Sequence, residues 1–84
     1  MELWIRSQSK EKLVKIENVY ISNEIRDGRA IMGCNSVFMN QDLGTYATKE
    51  RTLEILDNIS KCVEKAMFHT EISNEVIFYQ MPKE

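Results

Sequence analysis

Catalysis needs particular residue types at particular spacings, and here they are sparse. The single histidine, His69, has no serine- or cysteine-nucleophile motif around it. It reads as a residue near a helix end, interacting with the helix dipole. Cys34 and Cys62 have neither metal-ligand spacing nor a histidine pair, and read as buried free thiols. The three glycines are scattered rather than gathered into a phosphate loop, and no paired-carboxylate motif is present. The expectation is a non-enzymatic chain with no metal and no cofactor.

Binding has three candidate stretches. Thr48, Lys49 and Arg51 open a predicted helix, where unpaired backbone N–H groups and the dipole favour an anion. Glu50 works against an anion there, and a plain strand-to-helix turn eased by Gly44 is the simpler reading. In WIRSQSK, Trp4 offers a stacking face, Arg6 a bidentate fork, and Ser7 and Gln8 further hydrogen bonds. Trp4 and Arg6 share one strand face by the period of two, so a base on one and its phosphate on the other is a workable pose. The plainer alternative is an edge-strand tryptophan with the arginine stem lying over it. Arg26 and Arg29 flank Asp27-Gly28, where a hairpin tip with two guanidinium groups either reaches a partner or is simply solvated.

The elements that must position these residues follow from periodicity. A short strand over 3–6 is followed by a polar loop over 7–12. Residues 13–22 form an extended run whose inward phase slips, from Val14 and Ile16 to Val19 and Ile21. A face cannot change parity without an extra residue or a turn, so Glu17-Asn18 is a bulge or a tight turn, the bulge being preferred. Asp27-Gly28 predicts a type I′ turn, a return strand fills 30–39, a turn 40–42 and a short strand 43–46. Thr48 is the predicted N-cap. Thr52, Ile55, Leu56, Ile59, Val63, Ala66 and Met67 then recur at helical spacing, with Leu53 and Cys62 at the edges of the stripe. Glu54, Asp57, Asn58, Lys61, Glu64 and Lys65 line the other side, with Asp57 and Lys61 a favourable i,i+4 pair. Residues 75–81 make a last strand that is apolar on both faces, either central in the sheet or meeting another copy.

These elements predict one α+β domain over residues 1–84, an antiparallel sheet of four to five strands with one long helix on one face, in the order β-β-β-(β)-α-β. One helix covers one sheet face. The other face, with Trp4, Tyr20, Phe38 and Tyr79 as its candidates, predicts a homo-oligomer or a partner surface.

Length and charge bound the function further. Eighty-four residues form one small domain. With 11 basic and 13 acidic residues, net −2, a general nucleic-acid surface is not expected. No apolar run approaches the roughly 20 residues of a membrane span, and no signal peptide is read before the first strand, so a reducing cytoplasm is the expected setting.

Three segments carry a resemblance. They are Leu3-Trp4-Ile5-Arg6-Ser7-Gln8 followed by Lys10; Leu43-Gly44-Thr45-Tyr46 with Glu50-Arg51 and Leu53-Glu54-Ile55-Leu56-Asp57; and Tyr79-Gln80-Met81-Pro82-Lys83-Glu84. On these the chain resembles a family of short proteins of Firmicutes and their phages and prophages. It departs at Thr52, where alanine is expected, and at Ser9, where an acidic residue is expected; residues 23–40 lie outside the resemblance. The resemblance brings no activity with it. Its phage setting implies a non-enzymatic binding protein that antagonises a bacterial defence system, by sequestering a small nucleotide signal or by blocking a host defence protein. The alternative is a structural or regulatory module that binds a host or virion protein.

Overall fold

A computed structural model of the chain describes residues 2–37, 40–69 and 76–84, with 67–69 described by backbone alone. The strands are β1 (Glu2–Arg6), β2 (Leu13–Ile16), β3 (Asn18–Ile21), β4 (Ala30–Cys34), β5 (Gln41–Thr45) and β6 (Val76–Gln80), with the helix α1 (Lys49–His69) between the last two. The α+β class and the single long helix agree with the sequence-based expectation. The single antiparallel sheet does not: there are two three-stranded sheets, ordered β2-β1-β6 and β3-β4-β5.

The division comes from the phase slip at Glu17. Ile16 is buried and Val19 and Ile21 pack against the same core. Residues of opposite parity reach one core only if the chain bends between them. The run over 13–22 is therefore not one bulged strand. Its first half pairs with β1 (Leu3 opposite Ile16) and its second with β4 (Ile21 opposite Ile31), so the chain turns a corner from one sheet into the other. The Glu17 N–H donates to the Cys34 carbonyl at 2.9 Å and anchors that corner.

The last strand corrects the antiparallel expectation as well. α1 has 21 residues, about 31 Å at 1.5 Å per residue. It carries the chain from the β3-β4-β5 sheet back to the other, where β6 runs parallel to β1 with Trp4 opposite Phe78. β6 is an edge strand, not a central one.

The core lies between the inner sheet faces and α1: Ile5, Ile16, Ile31, Leu43, Tyr46, Ile55, Ile59 and Met81. Burying each large apolar side chain contributes about 1.5–3 kcal/mol. The helical stripe points inward as its spacing predicts, with Thr52, Ile55 and Ile59 buried and Leu53 exposed. Thr48 caps it, accepting the Arg51 N–H at 3.1 Å. Asp57 and Lys61 are not among the ion pairs of the described residues, whereas Arg51 and Glu54, at the start of the helix, are. Cys34 and Cys62 are free thiols, half-buried rather than buried.

The Asp27-Gly28 turn differs in kind from the type I′ hairpin expected. Arg26, Asp27 and Gly28 all have positive φ (49°, 54° and 78°), a short left-handed turn over three residues. Gly28 is buried, and a Cβ there would lie 3.1 Å from Lys49 Cδ. The positive φ, with the Lys49 side chain packed close, favours glycine there. Phe38, Met39, Glu75 and the side chains of Met67 and His69, to which the sequence assigned roles, lie outside what the structure describes.

Candidate functional site

The side chains at the helix start are engaged within the protein. The Thr48 hydroxyl is spent on the cap. Lys49 Nζ donates to Asn23 Oδ1 at 2.7 Å. The Arg51 fork closes on the main-chain oxygen of Glu84, from Nε at 3.0 Å and Nη2 at 2.8 Å, and Nη1 reaches Glu54. The guanidinium is satisfied by a main-chain oxygen and a carboxylate, so the Thr48, Lys49 and Arg51 side chains expected at an anion site are engaged by internal partners.

The same holds at the left-handed turn. Arg26 Nη1 donates to Asp42 Oδ2 at 2.6 Å and to Thr45 Oγ1 at 3.1 Å, tying the turn to β5. Arg29 Nε donates to the Arg26 carbonyl at 3.1 Å. The two arginines brace the turn rather than project from a hairpin tip.

Gln8 acts as a piece of strand. Its Nε2 donates to the carbonyls of Thr45 at 2.9 Å and Lys83 at 2.8 Å, while its Oε1 accepts the Thr45 N–H at 2.8 Å. One amide thus closes the free edge of β5 and holds the final segment. That segment is gripped twice more. The Tyr46 hydroxyl donates to the Pro82 carbonyl at 2.8 Å, and the Met81 N–H donates to the Arg6 carbonyl at 3.0 Å. Gly44 makes room, since a Cβ there would lie 2.9 Å from the Tyr46 hydroxyl and 3.2 Å from Gln8 Cβ. Burial, with Tyr79 nearby, pushes the Tyr46 phenol up to about 12. The three segments that carry the resemblance therefore meet in one hydrogen-bonded strap.

Trp4 and Arg6 do share a face, as the period of two requires. Arg6 Nε is bound to the Lys10 carbonyl at 3.1 Å, and Trp4 Nε1 donates to Glu2 Oε2 at 3.4 Å. That hydrogen bond, with the Lys15 ammonium beside it, holds the Glu2 carboxyl below its usual range. The face itself is the outer surface of β2-β1-β6. Trp4 lies level with Lys15 and Phe78, Glu2 with Val76, and Arg6 with Leu13 and Gln80. Phe78 is 69% exposed, Leu13 54% and Val76 41%, so it is an apolar face in water. Along β2 it opens into a groove of about 630 Å³ lined by residues including Trp4, Leu13, Lys15, Asn35, Val37 and Gln41.

Of the four aromatics expected on an uncovered face, Trp4 lies on this one. Tyr79 is inward, against the core. Tyr20 belongs to the other sheet, where its hydroxyl donates to Asn40 Oδ1. Phe78, Leu13 and Val37 were not among the expected site residues. The signal for Phe78 was present: in EVIFYQM the alternate set Ile77, Tyr79 and Met81 is the larger apolar one, leaving Val76 and Phe78 to face away. Nothing local marks Leu13 or Val37.

A scan against family models finds no match, and neither curated protein sequences nor solved structures yield one.

Proposed function

We propose that this is a non-catalytic binding protein whose working surface is the outer face of β2-β1-β6, and that it serves a phage or prophage in the bacterial cytoplasm by occluding a protein of a host defence system. The observation that carries the reading is the solvent-facing apolar cluster of Phe78, Val76, Trp4 and Leu13, flanked by Lys15 and Arg6. Exposed apolar surface with a charged rim suits a protein partner. The sequestration of a nucleotide signal draws less support. Its phosphates need free cationic donors, and Arg26, Arg29, Lys49 and Arg51 are each held by internal acceptors. The phage setting rests on the resemblance alone.

The test is phage plating on hosts carrying individual defence systems. The wild-type chain is expected to restore plating on at least one, with a tight complex to one of its proteins, and Phe78→Asp to abolish both while remaining folded. Calorimetry with cyclic nucleotides and ADP-ribose derivatives is expected to show no heat of binding. Tight nucleotide binding that survives Phe78→Asp would overturn effector blocking in favour of trapping. Recovery of a metabolic or virion protein from uninfected cells, with no effect on plating, would support the structural or regulatory module instead.

A further inference from the structure

The strand edges are treated unequally. The outer edge of β5 is closed by Gln8, which bonds both the N–H and the carbonyl of Thr45 and, through its own backbone N–H, the Leu43 carbonyl at 2.8 Å. The outer edge of β2 is met by Asn35, whose Nδ2 donates to the Lys15 carbonyl at 2.6 Å. β3 runs beside α1. β6 pairs with β1 on one side, and among the described residues no strand pairs with its other side.

Which β6 groups face outward follows from one bond. The Met81 N–H donates to Arg6, and in a parallel ladder alternate residues bond to the same neighbour. Ile77, Tyr79 and Met81 therefore spend their backbone groups on β1. Val76, Phe78 and Gln80 present theirs to the open edge. The same three carry the exposed side chains. Natural edge strands are usually guarded by lysine, proline, a bulge or an inward-pointing charge. Val76–Gln80, VIFYQ, has none of these.

We infer that β6 is a self-association edge, and that its partner is β6 of a second copy, paired antiparallel about a two-fold axis through Phe78. This goes beyond the proposed function and does not depend on it. A two-fold contact requires a self-complementary patch, and VIFYQ meets that requirement. With Phe78 opposite its own counterpart, Val76 falls opposite Gln80. Every residue in those pairs is one whose N–H and carbonyl already point outward, so all of them exchange both bonds. No charge lies on the strand to oppose its copy. The neighbouring strand agrees, because Glu2 is level with Val76 and Arg6 with Gln80, so antiparallel pairing sets the acidic end of one sheet beside the basic end of the other. At about 4.8 Å per strand spacing, these charges orient the copies rather than form ion pairs. Pro82, just beyond Gln80, lacks an N–H and ends the ladder. A five-residue edge buries less than the roughly 1,200 Å² of a stable complex, so the dimer is reversible.

Light scattering across a dilution series is expected to show the mean mass rising towards twice the protomer mass as concentration increases. Phe78→Lys, which sets like charges on the two-fold axis, is expected to hold the protein at the protomer mass while its circular dichroism stays unchanged. Under mild oxidant, Phe78→Cys is expected to link to itself, because opposed Cα atoms in such a ladder are about 5.5 Å apart; Val76→Cys, lying opposite glutamine, is not. A protomer mass at every concentration would overturn the inference. So would a dimer in which Phe78→Cys does not link or Val76→Cys links instead. A monomer that takes up an extended apolar peptide along β6 would replace the second copy with a different partner.

Discussion

At the residue scale, several polar side chains are spent on acceptors and donors within the chain. Gln8 shows this best. Gln8→Ala removes the partner of the Thr45 N–H and of the Thr45 and Lys83 carbonyls. These groups are only partly buried, so the loss is that of ordinary hydrogen bonds, and urea denaturation is expected to show about 1 kcal/mol, with Gln8→Glu little better because a carboxylate cannot donate to a carbonyl. Tyr46 makes a pH prediction. Its phenol is raised to about 12 in the folded chain, against about 10 in an unfolded one. Its contribution is complete below about pH 10, and is lost as pH rises from there towards 12, because the unfolded state ionises first. Tyr79 is raised by burial as well and adds to the same fall. Tyr46→Phe is expected to flatten part of the fall in urea midpoint above pH 10, and to cost about 1 kcal/mol at neutral pH through the lost bond to Pro82.

At the scale of elements, α1 depends on its first turn and its stripe. Thr48→Ala leaves the Arg51 N–H without its cap, with an expected loss of about 1 kcal/mol and faster hydrogen exchange confined to the first turn. Ile55→Ala empties a fully buried position in the core cluster, with an expected loss of about 2–5 kcal/mol in denaturant. The cap and the stripe were legible in sequence because both are local: a hydroxyl reaches three residues along, and side chains three or four apart share a face. The strand over 13–22 was half legible. Its parity slip marked a discontinuity, but whether that is a bulge within one sheet or a corner between two depends on β1 and β4 as partners, and no short-range pattern contains them.

At the scale of the molecule, among the described residues one sheet keeps a bare apolar face and an edge with no paired strand. Phe78 sits on both, and it holds up little of the fold. Phe78→Ser is expected to shift protomer stability by no more than about 0.5 kcal/mol, as at other exposed positions, while changing association and partner capture. Chemical denaturation under dilute conditions, set beside light scattering, separates the two effects. Such a residue contributes to contacts between molecules rather than within one, and that is why its surroundings carry both the proposed function and the inferred dimer.

By itself the sequence determined the α+β class, the long helix with its cap and inward stripe, the strand alternation that turns Phe78 away from Met81, and the absence of any recognisable catalytic motif. All of these rest on periodicity and on interactions a few residues long. Only the tertiary structure decided that the strands divide into two sheets, that β6 runs parallel to β1, and that Arg26, Lys49, Arg51 and Gln8 are committed to Asp42, Asn23, Glu84 and Thr45. Those partners lie 16 to 37 residues away in the chain. Whether a guanidinium or an amide is free for a ligand depends on which distant acceptor the fold brings within hydrogen-bonding reach of it, and spacing in sequence does not encode that distance.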